Sequence, residues 1–305
     1  TAYRRQRQMC IRDSSYIEEC LDRGLKIDHF AHRLSFFFNA HMDFFEEIAK
    51  YRAARRIWAN RLKNKYGAKK ENSLKLKFHT QTAGCSLTAQ QPENNIVRTA
   101  FEAMSAVLGG TNSLHTNSLD ETLALPSEKA AKIALRTQQI LAFETGVPNV
   151  ADPLGGSWYL GELTDKIENQ AMKYFEEIQE MGGTIQAIEE GYFQKKIAES
   201  ASTYQESIDS KERIIVGVND FVEENEELDI EILKISKDAQ IIQENKIKNL
   251  RKKRNGKNFE KKMKKLSDAC KKDLNLVPFL IEVAEAGGTL GEIVEVMKKE
   301  YGEWE

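Results

Sequence analysis

The sequence predicts an α/β protein: the C-terminal part of a TIM-type (β/α)8 barrel, incomplete, followed by a mostly helical segment. Three observations predict it. First, two short apolar runs, Leu76–Phe78 and Ser113–Leu114, each break into a similar polar triplet, His79-Thr80-Gln81 and His115-Thr116-Asn117. Second, between them Ile96, Val97, Ala100, Phe101, Met104 and Val107 recur at helical spacing, which makes a strand–helix–strand rhythm. Third, with the run at Leu34–Phe38 and the helical pattern behind it, three strand–helix units stand in series. Such a series implies a parallel sheet with helical crossovers. A closed barrel takes eight units in about 250 residues, and only about 145 residues carry the pattern here.

The elements follow in order. Tyr16–Gly24 reads as the end of a helix closed by glycine. Leu25–Arg33 is a connector, and Leu34–Phe38 a strand bounded by Asn39. Asp43–Tyr66 is a long amphipathic helix, closed by Gly67. A strand at Lys75–Thr80, a helix at Asn95–Leu108, a turn at Gly109-Gly110 and a strand at Ser113–Thr116 come next. Ser127 caps a helix that runs to Thr145 and stops at Gly146. Pro153-Leu154-Gly155-Gly156 is a turn cluster. Helices are expected at Leu163–Glu180 and Thr184–Ser200, with Gly182-Gly183 between them. Arg213–Val218 is a short β-branched run. Composition shifts at Glu223, and Ser236–Lys272 is Lys-rich around an isolated Gly256. Asn275–Gly302 reads as a helical pair split at Gly287-Gly288.

Composition narrows the function. The formal net charge of −2 argues against a nucleic-acid binder driven by bulk electrostatics. The Lys-rich stretch lacks interleaved aromatics and has acidic neighbours, so it reads as a solvated helical surface. No apolar run reaches the roughly 18 residues of a membrane span. Cys10, Cys20, Cys85 and Cys270 form no CxxC pair, so no metal site is expected and a reduced, cytoplasmic chain is the simple reading. Cys85 reads as a packing residue at a strand end rather than a nucleophile. Thr1–Ser14 is basic, lacks periodicity and has no secretory apolar core. It is expected to be a foreign segment, with the natural N-terminal part missing.

Four stretches carry a resemblance: RLSFFFNAHMDFFEEIAKYRAARRIW, FHTQTAGCSLTAQQPENNIVRTA, LGGTNSLHTNSLDETLALP and NVADPLGGSWYLGELTD. In this order they resemble the adenosylcobalamin-dependent acyl-CoA mutases, above all the large catalytic subunits of the methylmalonyl-CoA mutase family. The likeness runs from about Tyr16 to the C-terminus. It implies residues 15–160 as the C-terminal part of an acyl-CoA-binding barrel. It also implies 161–305 as a helical extension toward a cobalamin-binding domain. The activity implied is radical isomerisation of (R)-methylmalonyl-CoA and succinyl-CoA. Isobutyryl-CoA mutase or a relative is the alternative within the class, and a non-catalytic subunit-docking module the alternative outside it.

Arg33 offers a planar fork for phosphate or carboxylate and Ser35 a small donor, although a surface arginine and a turn serine would look the same. His79 and Gln81, two apart in a strand, share a face, where barrel-interior packing is the plainer role. The resemblance implies that Arg33 and Ser35 hold the CoA part of the substrate, and His79 and Gln81 its acyl thioester. It implies Gly84, Glu121, Ala124 and Leu125 against the corrin ring of adenosylcobalamin. A charge at a helix N-terminus is the plainer reading of Glu121. His115 and Asn117 repeat the polar-end pattern without an assigned role. The family's Tyr-His pair, in a YHxxEAG-like motif, and its cobalt-ligating DxHxxG motif do not occur in this sequence. A cobalamin-binding subunit or domain is therefore an expected partner, and catalytic residues are expected upstream. Arg33, Ser35, His79, Gln81 and Glu121 are expected together at C-terminal strand ends. Arg33 and Gln81 on opposite ends of their strands would sink the site assignment.

Overall fold

The computed structural model describes residues 14–224, 230, 232–234, 236–272 and 274–303. Most of the stretch read as foreign, and Trp304-Glu305, lie outside them. Two compact units emerge, Thr1–Leu233 and Lys234–Glu305.

In the first unit, helix α1 spans 14–22 and α2 Ile27–Phe30. A 3₁₀ turn, Ala31–Arg33, leads into strand β1, Phe36–Ala40. Helix α3, Phe44–Asn64, starts where the Asp43 carboxylate accepts the Glu46 amide. A short helix α4, Glu71–Leu74, precedes β2, Phe78–Thr82. Helix α5, Asn94–Leu108, returns the chain to β3, Ser113–His115. Helix α6, Glu128–Phe143, begins on the expected cap, with the Ala130 amide donating to Ser127 Oγ at 3.2 Å. Helices α7, Trp158–Glu180, α8, Thr184–Glu189, and α9, Tyr192–Asp209, complete the unit.

The sheet is three-stranded and parallel in the order β1-β2-β3. It is a small parallel sheet in a mostly helical α/β unit. The register pairs Phe36 with Phe78 and Asn39 with Gln81. Pairing moves the first two strands later than the sequence suggests. Leu34 closes the 3₁₀ turn on Ala31, and the first ladder bond runs from the Phe36 amide to the Lys77 carbonyl. Asn39 therefore lies inside β1 instead of bounding it.

Alternation decides which face is buried. Phe36, Phe38, Ala40 and Phe78 turn toward Tyr51, Ala54 and Trp58 of α3. The rings of Phe36 and Trp58 meet edge-on at 4.9 Å, those of Phe38 and Tyr51 at 5.9 Å. Burying each such aromatic contributes on the order of 2 kcal/mol. The α5–β3 turn presses on this core: a Cβ on Gly109 would fall 2.2 Å from Tyr51 Cδ2.

Residues 161–209 side with the sheet, not with the C-terminal helices. Ile48, Ala49 and Ala53 pack with Leu160 and Ile167, and Ile57 packs with Ala171, Phe175 and Ile178. The expected Thr184–Ser200 helix is two helices, broken at Gly191 with φ +68°. Arg213–Val218 forms no strand; it is a looped segment with one bridge, Val216 to Asp220.

The second unit holds α10, Lys237–Lys253, α11, Gly256–Lys271, α12, Val277–Glu285, and α13, Leu290–Tyr301. Leu266, Cys270 and Val283 form its small core. Arg254 clamps the Glu292 carboxylate at 2.8 and 2.9 Å and donates to the Gly287 carbonyl. No helix among the described residues is long and apolar enough to cross a membrane.

Candidate functional site

The face of the sheet turned away from α3 is polar and open. Residues at alternate positions come into two rows across the strands: Phe37, His79 and Ser113, then Asn39, Gln81 and His115. The rows are about 7 Å apart along the strands and neighbours within a row about 5 Å apart. In the first row His79 Nδ1 lies 2.7 Å from Ser113 Oγ, and its ring centroid is 5.0 Å from that of Phe37. Partial burial and the nearby His115 lower the His79 pKa. A neutral imidazole there can donate one hydrogen bond and accept another.

Beyond the second row the chain makes a rim. Thr82 Oγ1 donates to Asn117 Oδ1 and receives the Asn117 amide at 2.9 Å. Asn117 Nδ2 donates to one Glu121 carboxylate oxygen at 2.5 Å, and the Ser118 amide to the other at 2.7 Å. Gly84 borders this group: a Cβ there would meet Asn117 Nδ2 at an ordinary 3.5 Å. Glu121 is therefore not a helix N-terminal charge, because α6 begins at Glu128 on its own serine cap. Ala124 closes the same turn through its amide to the Asp120 carbonyl, and Leu125 beside it is exposed.

Behind the rim sits a buried acid. Glu102 of α5 accepts the Ala83 amide at 3.1 Å and so fixes the 3₁₀ turn Gly84–Ser86. Burial pushes its carboxyl up to about 8, against the lowering effect of the hydrogen bond from the Ala83 amide. Glu47 of α3 is also buried and pairs with Lys50, and burial raises it too.

His79 and Gln81 thus join Asn39, Ser113 and His115 on the open sheet face, and Gly84 and Glu121 join Asn117 beyond the strand ends. Arg33 and Ser35 do not. They precede β1, and the register sets Ser35 four residues, about 13 Å, before the level of Gln81. The expectation that all five residues gather at C-terminal strand ends fails, because the strand starts at Phe36. Arg33 lies before the opening end of β1 and Gln81 near the closing end of β2, the opposite-end arrangement that sinks the assignment of all five to one site. Cys85 is exposed rather than packed. Asn39 and Ser113 escaped sequence reasoning; alternation along FFFNA exposes Asn39, but only the register puts it beside Gln81. Among the described residues no cluster of three metal-ligating side chains occurs.

The sequence profile described as methylmalonyl-CoA mutase matches residues 11–303. It begins inside the stretch expected to be foreign. The chain is 44% identical over 289 residues to the 2-hydroxyisobutanoyl-CoA mutase large subunit of Aquincola tertiaricarbonis, covering 94% of this chain and 51% of that protein. It is 44% identical to the methylmalonyl-CoA mutase of Rhizobium meliloti (strain 1021), covering 95% of this chain and 41% of that protein. With the mitochondrial methylmalonyl-CoA mutase of Homo sapiens the identity is again 44%, over 94% of this chain and 38% of that protein. The chain spans about half the length of these relatives, or less.

Proposed function

This chain belongs to the methylmalonyl-CoA mutase family, and we propose on that premise that it forms part of an acyl-CoA mutase acting on (R)-methylmalonyl-CoA and succinyl-CoA. The observation that carries the reading is the polar sheet face opposite the α3 core. A parallel sheet covered by helices on one face and lined with His79, Gln81, His115 and Asn39 on the other suits the inside of a larger β/α barrel. In this reading residues 15–160 supply barrel strands, and the terminal helices lead toward a cobalamin-binding domain or subunit.

An acyl-CoA is long, so its contacts need not share a point. We place Arg33 and Ser35 at the strand entrance on the CoA portion, and His79 and Gln81 further along on the acyl thioester. His79, held by Ser113, donates to the thioester carbonyl, and Gln81 bonds the acyl group. Positioning by fixed donors is where such a protein contributes to rate.

The rim suits adenosylcobalamin in its donor set. Gly84 leaves an open backbone edge, Leu125 an exposed apolar surface, and Glu121 retains lone pairs beyond its two internal bonds. Ala124 belongs to the same turn. When bound, that group supplies the radical chemistry of the rearrangement. This chain's residues orient the substrate and exclude water from it. The absence of a metal-ligating cluster among the described residues is no obstacle, since the cobalt ligand is assigned to the partner domain.

The runner-up is a neighbouring acyl substrate, favoured by the relative named 2-hydroxyisobutanoyl-CoA mutase. A docking module is the reading of another class. A cytoplasmic location is part of this reading, whereas the human relative is named mitochondrial. The test is turnover by the complete protein with its cobalamin-binding partner and adenosylcobalamin, on methylmalonyl-, isobutyryl- and 2-hydroxyisobutyryl-CoA. Preference for methylmalonyl-CoA, lost in Gln81→Ala, supports the proposal. Preference for another thioester selects the runner-up, and no turnover with any of them rejects an enzyme.

A further inference from the structure

A cavity of about 590 Å³ lies beside the Gly84–Ser86 turn, between the first half of α5, the end of α9 and the segment 213–218. That size falls within the roughly 300–1,000 Å³ of small-molecule sites. Its wall is mainly apolar: Met42, Leu87, Val97, Phe101, Ile215 and Val218. Phe101 and Val97 are more than half exposed, on a helix whose other face is buried.

The wall is built, not incidental. Arg98 is buried and spends its guanidinium on Thr88 Oγ1, Asn95 Oδ1 and the Val216 carbonyl, each at 2.8 Å. Gln91 Nε2 donates to the Phe221 carbonyl at 2.9 Å. Asn219 ties its own loop through the Ile215 amide and the Ile208 and Arg213 carbonyls. Arg98 and Gln91 together hold the looped segment against α5, which keeps the cavity open.

Its charge has one sign. Among the described residues the lining contains Arg98 and Arg213 and neither Asp nor Glu. Arg98 is consumed by the wall. Arg213 lies over the Tyr204 ring at 5.2 Å, and among the described residues it forms no ion pair. His41, also in the lining, accepts the Met42 amide on Nδ1 and is neutral at ordinary pH. An unpaired guanidinium at the wall of an apolar cavity favours a ligand with an anionic head and an aliphatic body.

We propose that this cavity binds a medium-chain aliphatic carboxylate, its tail on the apolar wall and its carboxylate on Arg213. The proposal stands apart from the sheet-face site and does not depend on the mutase reading. The test titrates the full chain with octanoate and with octanol by calorimetry. In parallel, mass spectrometry follows alkylation of the exposed Cys85, which lines the cavity. Octanoate is expected to bind at least tenfold more tightly than octanol, and to slow Cys85 alkylation at least fivefold with Cys20 unaffected. Arg213→Gln should weaken octanoate at least tenfold and leave octanol unchanged. The Arg213 side chain is exposed and takes no part in the hydrogen bonds of the wall, so the variant keeps the cavity. No octanoate binding at millimolar concentration, binding without protection of Cys85, or equal affinity in Arg213→Gln each overturns the proposal.

Discussion

Replacing Glu102 with Gln should flatten the pH dependence of stability in the first unit. Glu102 is fully buried on α5 and its carboxyl is raised to about 8 from an ordinary 4.5. The folded protein therefore holds a proton there that the unfolded chain has released. Its contribution is fully present below about 4.5 and is lost as pH rises toward 8. His41 works the other way. Burial, with Lys50 and Arg213 nearby, lowers it from 6.5 to about 4, so its contribution is present above 6.5 and lost as pH falls. Between about 4.5 and 6.5 the two slopes oppose each other. Between 6.5 and 8 Glu102 acts without that opposition. One pH unit corresponds to about 1.4 kcal/mol, so this window takes about 2 kcal/mol from the wild type. Glu47 is raised by burial in the same direction, against the lowering effect of Lys50. Gln keeps an oxygen for the Ala83 amide and carries no proton to lose. The assay is urea denaturation at several pH values from about 6.5 to 8, read by the fluorescence of Trp58, which is buried with its Nε1 donating to the Ser73 carbonyl at 3.1 Å. The wild-type curve should fall and the variant's should fall by about 2 kcal/mol less. The difference corresponds to roughly 4–8 °C in Tm for a unit of this size. Parallel curves would refute the reasoning, because Glu102 would then titrate alike folded and unfolded.

Other perturbations read other parts of the structure. Gly109→Ala should cost about 1–3 kcal/mol, seen as a lower denaturation midpoint, because its Cβ would meet Tyr51 Cδ2 at 2.2 Å inside the core. Glu121→Ala removes acceptors from Asn117 and Ser118. In the complete enzyme it should lower turnover roughly 10- to 100-fold and raise the apparent Kd for adenosylcobalamin; lost stability with full turnover would confine Glu121 to holding the rim. Arg33→Ala should raise KM for the acyl-CoA with little change in kcat, whereas His79→Ala should lower kcat; the reverse pattern would contradict the proposed placement along the strands. The chain by itself should show no mutase activity and no tight adenosylcobalamin binding by calorimetry, since it holds neither the Tyr-His nor the DxHxxG motif.

Sequence alone determined the element types, because they rest on local physics. Apolar spacing marked α5, Ser127 marked the start of α6, and the glycine pair 287–288 marked the break between α12 and α13. The family was legible as well, in motifs long enough that their order excludes coincidence. Alternation put His79 and Gln81 on one face before any partner was known. Register was not legible, since strand pairing is a contact between distant segments. It moved β1 and β2 later, drew Asn39 into the row of Gln81 and His115, and left Arg33 and Ser35 at the entrance. The attachment of α7 to α3 was likewise decided by packing of Ile57 against Ala171, Phe175 and Ile178. So was the perturbed Glu102, whose helix reads as amphipathic in sequence while its polar stripe, not its apolar one, faces the interior. Only the tertiary structure could reveal this, because burial depends on which neighbours remove a side chain from water, not on the side chain itself.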